Sequence, residues 1–555
     1  MDHLQNPNRR TVLKGAAAAA IATSLPAVTA GPAAAAASPA VSPVAGTTAR
    51  RATSPLTLPS GIQTGDVTSR SAVLWSRASG IGRLNAILHP LDDDGERVKG
   101  RGRRRGHGRG RDGQPIHLRG PWATEETDFT ARINANGLPS GSRFDVELYF
   151  EDERGRHSEV GTGGFSTAPG RKSDGAQSFV WTADTAGQGY GINEQIGGMF
   201  GYETMRSYSP DFFLHAGDTI YADGPITETM EEPDGTIWHN VVTDEVAKVA
   251  ETLQEFRGRH RYNLMDANVR ALYAEVPVIA TWDDHETTNN WWVGETLEDD
   301  RYTVTDVNTL ATRGRRAWQE NQPIADRRAL SRGHGFEPAR IYRTIERGTT
   351  LDVFVLDMRT NKAENTDGLE QHETEIFGEE QLQWLLRGLK KSKATWKVIL
   401  ADLPLGIVVP DGEGQESIAN ADPGKPLGRE LELARLLQGI KRQRTKNVVF
   451  LTGDVHYCAA HHYSPERAAF KDFDPFWEFV AGPINAGSFG PNEMDATFGP
   501  RVDFSQAGPA MGSPRDGEGQ FFGRVEISPH GEEFTVELIN IKGDVQYTRT
   551  LTAEH

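Results

Sequence analysis

The sequence predicts an α+β protein in which a small β-sandwich precedes a larger domain of alternating strands and helices. Three observations lead to this fold class. The chain has 555 residues, which is more than one hydrophobic core usually organises. Residues 58–168 show short alternating strands separated by turn residues, and from about residue 177 apolar runs alternate with longer helical stretches. We therefore expect two domains, over residues 54–168 and 177–555.

Composition and charge narrow the classes of function. Hydrophobic residues make up 37% of the chain and aromatic residues 8%, which is ordinary for a soluble globular protein. The formal net charge is −17, which argues against nucleic acid or an anionic membrane as a general partner. Beyond the leader no apolar run approaches the roughly 20 residues that span a bilayer, so we expect no stable membrane insertion. We take a monomer as the expected oligomeric state.

Residues 1–30 predict a twin-arginine signal peptide. Arg9 and Arg10 precede a weakly apolar, alanine-rich segment. The single cysteine, Cys458, excludes an intrachain disulfide, which suits export of a folded protein. A short membrane anchor or a disordered tail is the alternative. We expect a secreted protein that uses the twin-arginine export machinery, with a linker over residues 31–53 that is rich in Ala, Pro, Ser and Thr.

The stretch after this linker predicts a β-sandwich of immunoglobulin or fibronectin type. Segments 71–78, 129–138 and 143–152 alternate apolar and polar residues, and no helical periodicity competes with this pattern. An Arg/Gly-rich run at 99–113 interrupts the region and cannot pack into a core. We expect this run to be a solvated hairpin loop, with polyanion binding as the alternative.

The C-terminal region predicts strands that end in polar clusters. Five apolar runs have this character: FFLHAGD, VPVIATWDDH, LDVFVLDMR, WKVILADLPL and NVVFLTGDVH. Helical candidates at 379–392 and 428–443 carry apolar residues at helical spacing, and residues 520–540 predict a closing hairpin. In α/β sheets ligands bind at the carboxyl ends of the strands, so we expect the polar clusters to converge on one site.

Four strand ends supply mostly oxygen ligands. They carry Asp184; Asp218 and Tyr221; Asp283, Asp284, His285 and Asn289; and Asp454 and His456. A single aspartate after a strand is commonly a helix cap or a turn residue. Several carboxylates gathered at one edge of a sheet would repel one another and would be costly to desolvate together. A multivalent cation between them removes that cost, so the pattern predicts a metal site.

These motifs resemble those of the calcineurin-like metallophosphoesterases, and more closely those of the PhoD family of secreted alkaline phosphatases and phosphodiesterases. Four segments are similar in order and approximate spacing: GDTIYADG, WDDHETTNNWW, VLDMRTN and GDVHY. Residues 58–77 resemble the β-sandwich that precedes the catalytic domain in this family. The resemblance implies a four-layer α/β/β/α metallophosphoesterase domain that hydrolyses phosphate esters.

The resemblance also implies a site with two metal centres. Asp218 would bridge both metals; Asp184, Tyr221 and His456 would complete the first centre; Asp284 and Asp454 would hold the second. Phenolate, imidazole and carboxylate ligands imply Fe(3+) at the first centre, and an all-oxygen second centre suits Ca(2+). Several PhoD-type enzymes resemble this chain but carry cysteine at the position of Asp184, which leaves Mn or Zn open at the first centre. Asp402 is a further candidate oxygen ligand.

In the implied mechanism the two cations clamp the phosphate and lower the pKa of a bridging water, whose hydroxide attacks phosphorus in line. His285 would orient or protonate the leaving group, with a structural histidine as the alternative. Arg359 would neutralise charge on the phosphoryl oxygens, and the alternative is a surface arginine paired with Asp357. Asn289 and Asn290 would contact phosphate or brace the metal loop, or form a purely structural turn.

Three functions follow from this site. We expect a secreted alkaline phosphatase that hydrolyses phosphate mono- and diesters. A phosphodiesterase or phospholipase D that acts mainly on diesters is the first alternative, and a non-catalytic metal- or polyanion-binding protein is the second.

Further candidates for residues that line the cleft are His461, His462, Trp291-Trp292 and Phe476-Trp477, although large aromatic residues more often belong to a core.

Overall fold

The structure, a computed structural model, describes residues 55–92, 94–98, 113–325, 340–515 and 517–555. The predicted signal peptide, the predicted linker and the Arg/Gly-rich run except for Gly113 lie outside these residues. Within the described ranges, none of the helices combines the length and the apolar character that crossing a membrane requires.

Seven N-terminal strands form two sheets around a shared hydrophobic core. One sheet contains β1 (Ile62–Gly65), β2 (Ser71–Arg77) and β5 (Thr130–Asn136); the other has the order β4 (Ile116–Ala123), β3 (Gly82–Pro90), β6 (Arg143–Glu151), β7 (Gly161–Ser166). Alternate residues of β6 are buried, and Phe144 and Val146 pack in the same core as Leu74 of β2. The immunoglobulin or fibronectin type of this sandwich and the boundary at residue 168 stay predictions.

The first of these sheets continues into the rest of the chain, because β1 pairs in parallel with β12 at Gly65 and Val278. The complete sheet has nine strands in the order β24-β23-β22-β8-β9-β12-β1-β2-β5. The additional strands are β8 (Gln177–Thr182), β9 (Phe212–His215), β12 (Val278–Ala280), β22 (Phe521–Ile527), β23 (Glu533–Asn540) and β24 (Val545–Thr552). A Cβ atom on Gly65 would meet the carbonyl oxygens of Pro323 and Val278 at 2.5 and 2.7 Å, so this junction requires glycine.

A second large sheet has seven strands in the order β13-β14-β15-β18-β20-β19-β21. Their bounds are β13 (Arg343–Arg347), β14 (Leu351–Val355), β15 (Trp396–Leu400), β18 (Val448–Thr452), β19 (Cys458–Tyr463), β20 (Phe476–Val480) and β21 (Pro500–Gln506). The two large sheets share one core, in which Trp181 and Leu214 of the first sheet pack with Val398 and Leu451 of the second. Two short hairpins complete the strands: β10 (Thr229–Glu231) with β11 (Ile237–His239), and β16 (Pro410–Asp411) with β17 (Gly414–Gln415).

Helices cover the outer faces of both large sheets. They are α1 (Phe200–Ser207), α2 (Leu253–Asn263), α3 (Ala267–Glu275), α4 (Val307–Asn321), α5 (Glu379–Lys391) and α6 (Glu430–Gln443). Buried residues of α1, α3 and α4 share a core with β8, β9 and β12, whereas those of α5 and α6 pack on β14, β15 and β18. The resulting layer order is α/β/β/α, which agrees with the fold that the resemblance implied.

Helix α5 shows how the sequence produces these layers. Leu382, Leu385 and Leu389 are buried at helical spacing. Acidic residues occupy its first turn and lysines its last turn, where each charge is favourable for the helix dipole. The two helices predicted over 379–392 and 428–443 are confirmed as α5 and α6, and the predicted closing hairpin as β22 and β23.

Candidate metal centre

The site lies where strands β8, β9, β12 and β18 end. Strands β8, β9 and β12 are parallel neighbours, so the loops that follow them leave the sheet at the same edge. Asp184, Asp218, Asp454 and His456 all lie in these loops with positive φ angles, of 66°, 51°, 71° and 61°. A non-glycine residue in this region is strained by about 1 kcal/mol or more, and such strain is concentrated at functional sites.

Four of the predicted ligands meet in a first group. One ligand atom each from Asp184, Asp218 and His456 lies within 4.8 Å of the others. The hydroxyl of Tyr221 lies 2.8 Å from Nε2 of His456. Nδ1 of His456 donates to the carbonyl oxygen of Gly487, so Nε2 is left to face the carboxylates. Burial lowers the pKa of His456 to about 4, which favours the neutral imidazole that binds metals.

A second group adjoins the first. Ligand atoms of Asp283, Asp284 and Asp454 lie within 4.8 Å of one another, and a further such group joins Asp218, Asp284 and His285. Asp218 thus shares one group with Asp184 and His456 and another with Asp284, which is itself a member of the second group, so its carboxylate lies between the two. The sequence analysis listed Asp283 among the strand-end oxygen ligands but assigned it to neither centre, and the structure brings it into the second group.

Buried carboxylate oxygens that accept no hydrogen bond show whether cations fit this site. Both side-chain oxygens of Asp184, Oδ2 of Asp283 and Oδ1 of Asp284 are buried and have no hydrogen-bond partner among the described residues. The same is true of both oxygens of Asp402, although Asp402 belongs to none of the metal-binding groups found in this part of the chain. Burying ionised oxygens without a partner is costly, and a multivalent cation offsets that cost. The donor set thus fits metal ions.

The pKa values of the buried aspartates also indicate that cations fit the site. Burial first, and then neighbouring carboxylates, raise the pKa of Asp184, Asp218 and Asp454 well above its ordinary value. Burial also raises the pKa of Asp283 to about 7, although Arg359 opposes this shift. Without added positive charge these groups resist ionising together. A bound cation would favour the ionised form of each carboxylate and reverse these shifts.

His285 is held by a carboxylate that the sequence analysis passed over. Its Nδ1 lies 2.7 Å from Oδ1 of Asp223, and its ring packs against Tyr221 with centroids 4.0 Å apart and planes inclined by 30°. Burial alone would lower the pKa of His285, but Asp223 and Asp284 outweigh it and raise the pKa to about 9. Oδ2 of Asp223 also accepts from the backbone N–H of Asn289, whose residue is exposed. Asp223 lies within the GDTIYADG motif, so this motif could have identified it from the sequence.

Arg359 is fully buried, so its interpretation as a surface arginine paired with Asp357 is wrong. Its Nε donates to Oδ1 of Asp283 and its Nη1 to Oε1 of Glu416, both at 2.5 Å. Its Nη2 lies 3.8 Å from Oδ1 of Asp284 and 3.8 Å from Oδ1 of Asp454. The guanidinium thus supplies positive charge directly beside the second group. Contact between Arg359 and a phosphoryl oxygen stays a prediction.

Two buried partners of this arginine network carried no sequence signal. Glu416 lies outside every strand-end motif, and Nζ of Lys362 lies 3.6 Å from its Oε1. Lys362 also donates to the carbonyl oxygen of Asn290 at 3.4 Å. The backbone N–H of Asn290 in turn donates to Oδ2 of Asp284 at 2.5 Å. These contacts tie the loop after β12 to the loops of the second sheet, and they place Asn290 as a brace of Asp284.

Glu286 connects the loop that carries Asp218 to the loop that carries Asp283, through hydrogen bonds to their backbones. Its Oε1 accepts from the backbone N–H of Thr219 at 2.6 Å, and its Oε2 from the backbone N–H groups of Asp218 and Asp283 at 3.2 and 2.7 Å. The residue is part of the DDHE segment, but the sequence analysis assigned it no role. Its bonds fix the backbone from which Asp218 and Asp283 project.

Of the remaining cleft candidates, His462, Trp292 and Trp477 are half-buried, and the other three lie in the protein interior. His461 is buried and its Nδ1 lies 2.9 Å from Oε2 of Glu478, within the β19–β20 pair. Trp291 is buried against Trp282, and Phe476 stacks on Tyr463. These residues are core residues, as large aromatic side chains commonly are.

Comparisons with known proteins place these observations in a family context. Residues 179–538 match the family model of the PhoD-like phosphatases. Alkaline phosphatase D of Bacillus subtilis (strain 168) is 31% identical over 309 residues, which are 53% of this chain and 50% of that relative, so the match spans only half of the relative's length. A solved structure of PhoD is similar in fold, with a TM-score of 0.64 and 20% identity over 91% of this chain and 94% of that chain. Purple acid phosphatase PPD1 from yellow lupin (Lupinus luteus) seeds is similar with a TM-score of 0.50 and 12% identity, over 89% of this chain and 74% of that one.

Proposed function

This chain belongs to the PhoD-like phosphatase family, and we propose that it is a secreted, metal-dependent phosphoric ester hydrolase of alkaline phosphatase D type. One observation carries the proposal. Carboxylates from the ends of four strands gather in two adjoining groups, and several of their buried oxygens have no donor among the described residues. Such an arrangement is suited to two cations that act on one phosphate.

The first centre would use Asp184, Asp218, Tyr221 and His456, and the second Asp218, Asp284 and Asp454, with Asp283 beside them. We propose Fe(3+) and Ca(2+) for these centres, with Mn or Zn as the alternative at the first because Asp184 stands where several PhoD-type enzymes carry a cysteine. When bound, such cations neutralise the phosphoryl oxygens and make water more acidic at neutral pH.

The chain's own side chains would complete the reaction. His285 is held at Nδ1 by Asp223, and its Nε2, which lies 4.0 Å from Oδ1 of Asp284, would give a proton to the leaving oxygen of the ester. Arg359 would contribute positive charge beside the second centre from its fixed position between Asp283 and Glu416. Asn289 is exposed next to this loop and would contact the substrate.

A hydrolysis assay on the purified full chain tests the proposal. We expect release of alcohol from 4-nitrophenyl phosphate and, more slowly, from bis(4-nitrophenyl) phosphate. A reversed order, or cleavage of phosphatidylcholine above both, would favour a diesterase. Elemental analysis of the same preparation should find metal at two ions per chain. Absence of hydrolysis of all three esters by the metal-containing protein would overturn the proposal.

The export proposal rests on Arg9 and Arg10 in the N-terminal leader. Changing both arginines to lysine keeps the positive charge but removes the twin-arginine pair. We expect the variant to stay inside the cell while the original chain is found outside it. Equal secretion of both would overturn the twin-arginine route, without bearing on hydrolysis.

A further inference from the structure

An exposed aromatic ring lies beside the first group of ligands. Phe489 is 37% exposed, and its ring centroid is 5.1 Å from that of the imidazole of His456, with the planes inclined by 53°. One part of the ring therefore contacts a proposed metal ligand, and the rest is open to solvent. Leaving a large apolar side chain in water is unfavourable, because burial of apolar surface is favourable.

The backbone holds this ring in place. The N–H of Phe489 donates to the carbonyl oxygen of His456 at 3.2 Å. Two residues earlier, the carbonyl oxygen of Gly487 accepts from Nδ1 of the same histidine. On the other side, a Cβ atom on Gly490 would lie only 2.3 Å from the ring of Tyr457, so the chain runs tightly against that residue. The segment that orients His456 is thus the segment that displays Phe489.

We propose that Phe489 is a specificity-determining residue that contacts the organic part of the ester and favours a flat, aromatic group there. This inference rests on the proposed function, because it takes a phosphoryl group bound next to His456 as its starting point. The ester's organic part must then leave the metal groups toward solvent, and Phe489 offers an open ring beside His456. Stacking of a planar group on an aromatic side chain strengthens binding by roughly tenfold or more. Of the aromatic residues that the sequence analysis considered for the cleft, Trp291 and Phe476 are buried, and Trp292 and Trp477 are half-buried.

Binding of two non-hydrolysable phosphonates tests this role without requiring turnover. Phenylphosphonate and methylphosphonate are titrated calorimetrically into the purified, metal-containing full chain and its variants. We expect the original chain to bind phenylphosphonate about tenfold more tightly. Phe489→Leu should lose most of this preference and Phe489→Trp should keep it. The control is Trp122→Leu, which removes an exposed aromatic residue of β4 in the sandwich and should leave the preference intact.

Three results would overturn the inference. They are equal affinity of the original chain for both phosphonates, an undiminished preference in Phe489→Leu, and a loss of bound metal in Phe489→Leu, which would make the ring a support for His456 instead. A parallel assay with 4-nitrophenyl phosphate separates this inference from the proposed function. Phenyl preference without hydrolysis would overturn the proposed function alone, whereas hydrolysis without that preference would overturn the role of Phe489 alone.

Discussion

Nδ1 of His285 lies 2.7 Å from Oδ1 of Asp223, which joins two motifs that are separated by 62 positions in the chain. The carboxylate fixes the orientation of the ring and stabilises its protonated form. Oδ2 of the same carboxylate binds the backbone N–H of Asn289, so one side chain positions both residues. Asp223 is therefore a positioning residue in the proposed reaction.

Replacing this carboxylate should change the pH profile. Burial lowers the pKa of His285, but Asp223 and Asp284 together raise it to about 9, so removing the charge of Asp223 in Asp223→Asn should lower it. A proton donor is active only below its pKa, and the alkaline limb of the kcat/KM profile should therefore move to lower pH by about one pH unit. Asp174→Asn, which changes an exposed aspartate paired with His530, serves as the control. An alkaline limb at the original pH in Asp223→Asn would contradict this role.

Asp218→Asn should abolish hydrolysis while the protein stays folded. The substitution removes one anionic ligand that both centres would share, and we expect kcat/KM to fall by more than about 100-fold. The fold should persist because the change also relieves repulsion among buried carboxylates. Hydrolysis of 4-nitrophenyl phosphate and circular dichroism are measured on the variant and on Asp174→Asn, in which an aspartate at the opposite end of β8 from Asp184 is changed. Near-normal turnover in Asp218→Asn would show that the bridging assignment is wrong.

Removal of metal should inactivate the enzyme reversibly. The second group offers only oxygen ligands, which suit calcium, so activity lost to a strong chelator should be partly restored by added Ca²⁺. The measurement follows hydrolysis and metal content on the same sample. Full activity in protein that elemental analysis shows to be free of metal would rule out the metal-dependent mechanism.

Asp184→Cys should change which metal the first centre retains. A thiolate in place of a carboxylate adds a soft donor, which favours iron or zinc over calcium. We expect the variant to keep more of its iron plus zinc than the original chain does after dialysis against the same chelator. A glutamate variant, Asp184→Glu, keeps the oxygen donor and controls for the disturbance of a buried site. The same retention of iron plus zinc in all three proteins would place Asp184 outside the first centre.

Arg359→Met should destabilise the fold more than an ordinary ion-pair mutant. The change leaves Asp283 and Glu416 buried without their shared cation, which typically costs about 3–5 kcal/mol. Arg501→Met breaks an exposed pair with Asp503 and should cost about 1 kcal/mol or less. Urea unfolding of the two variants measures the difference in the free energy of unfolding. Equal losses would mean that the buried pairs of Arg359 contribute no more than a surface pair.

The strand-end motifs predicted the site when they were considered together, although no single motif did so. Each aspartate is an unremarkable turn residue taken alone, but parallel neighbouring strands end at one edge of a sheet. This rule, together with the family resemblance, assigned Asp184, Asp218, Tyr221, Asp284, Asp454 and His456 to one site, and the structure brings them together. The periodicity of α5 and α6 was equally plain, because a helix that covers a sheet buries one face only. Their roles as ligands stay proposals.

Only the tertiary structure decided which residues surround that site. The pairing of Arg359 with Glu416 spans 57 positions, and Phe489 meets His456 through a loop that has no strand pattern. It also decided that β1, β2 and β5 share a sheet with strands from the rest of the chain, through the parallel pairing of Gly65 with Val278. Periodicity and strand ends are local patterns, which can be identified from neighbouring residues in the sequence. Which buried charge meets which partner depends on how separate layers pack, and no local pattern encodes that choice.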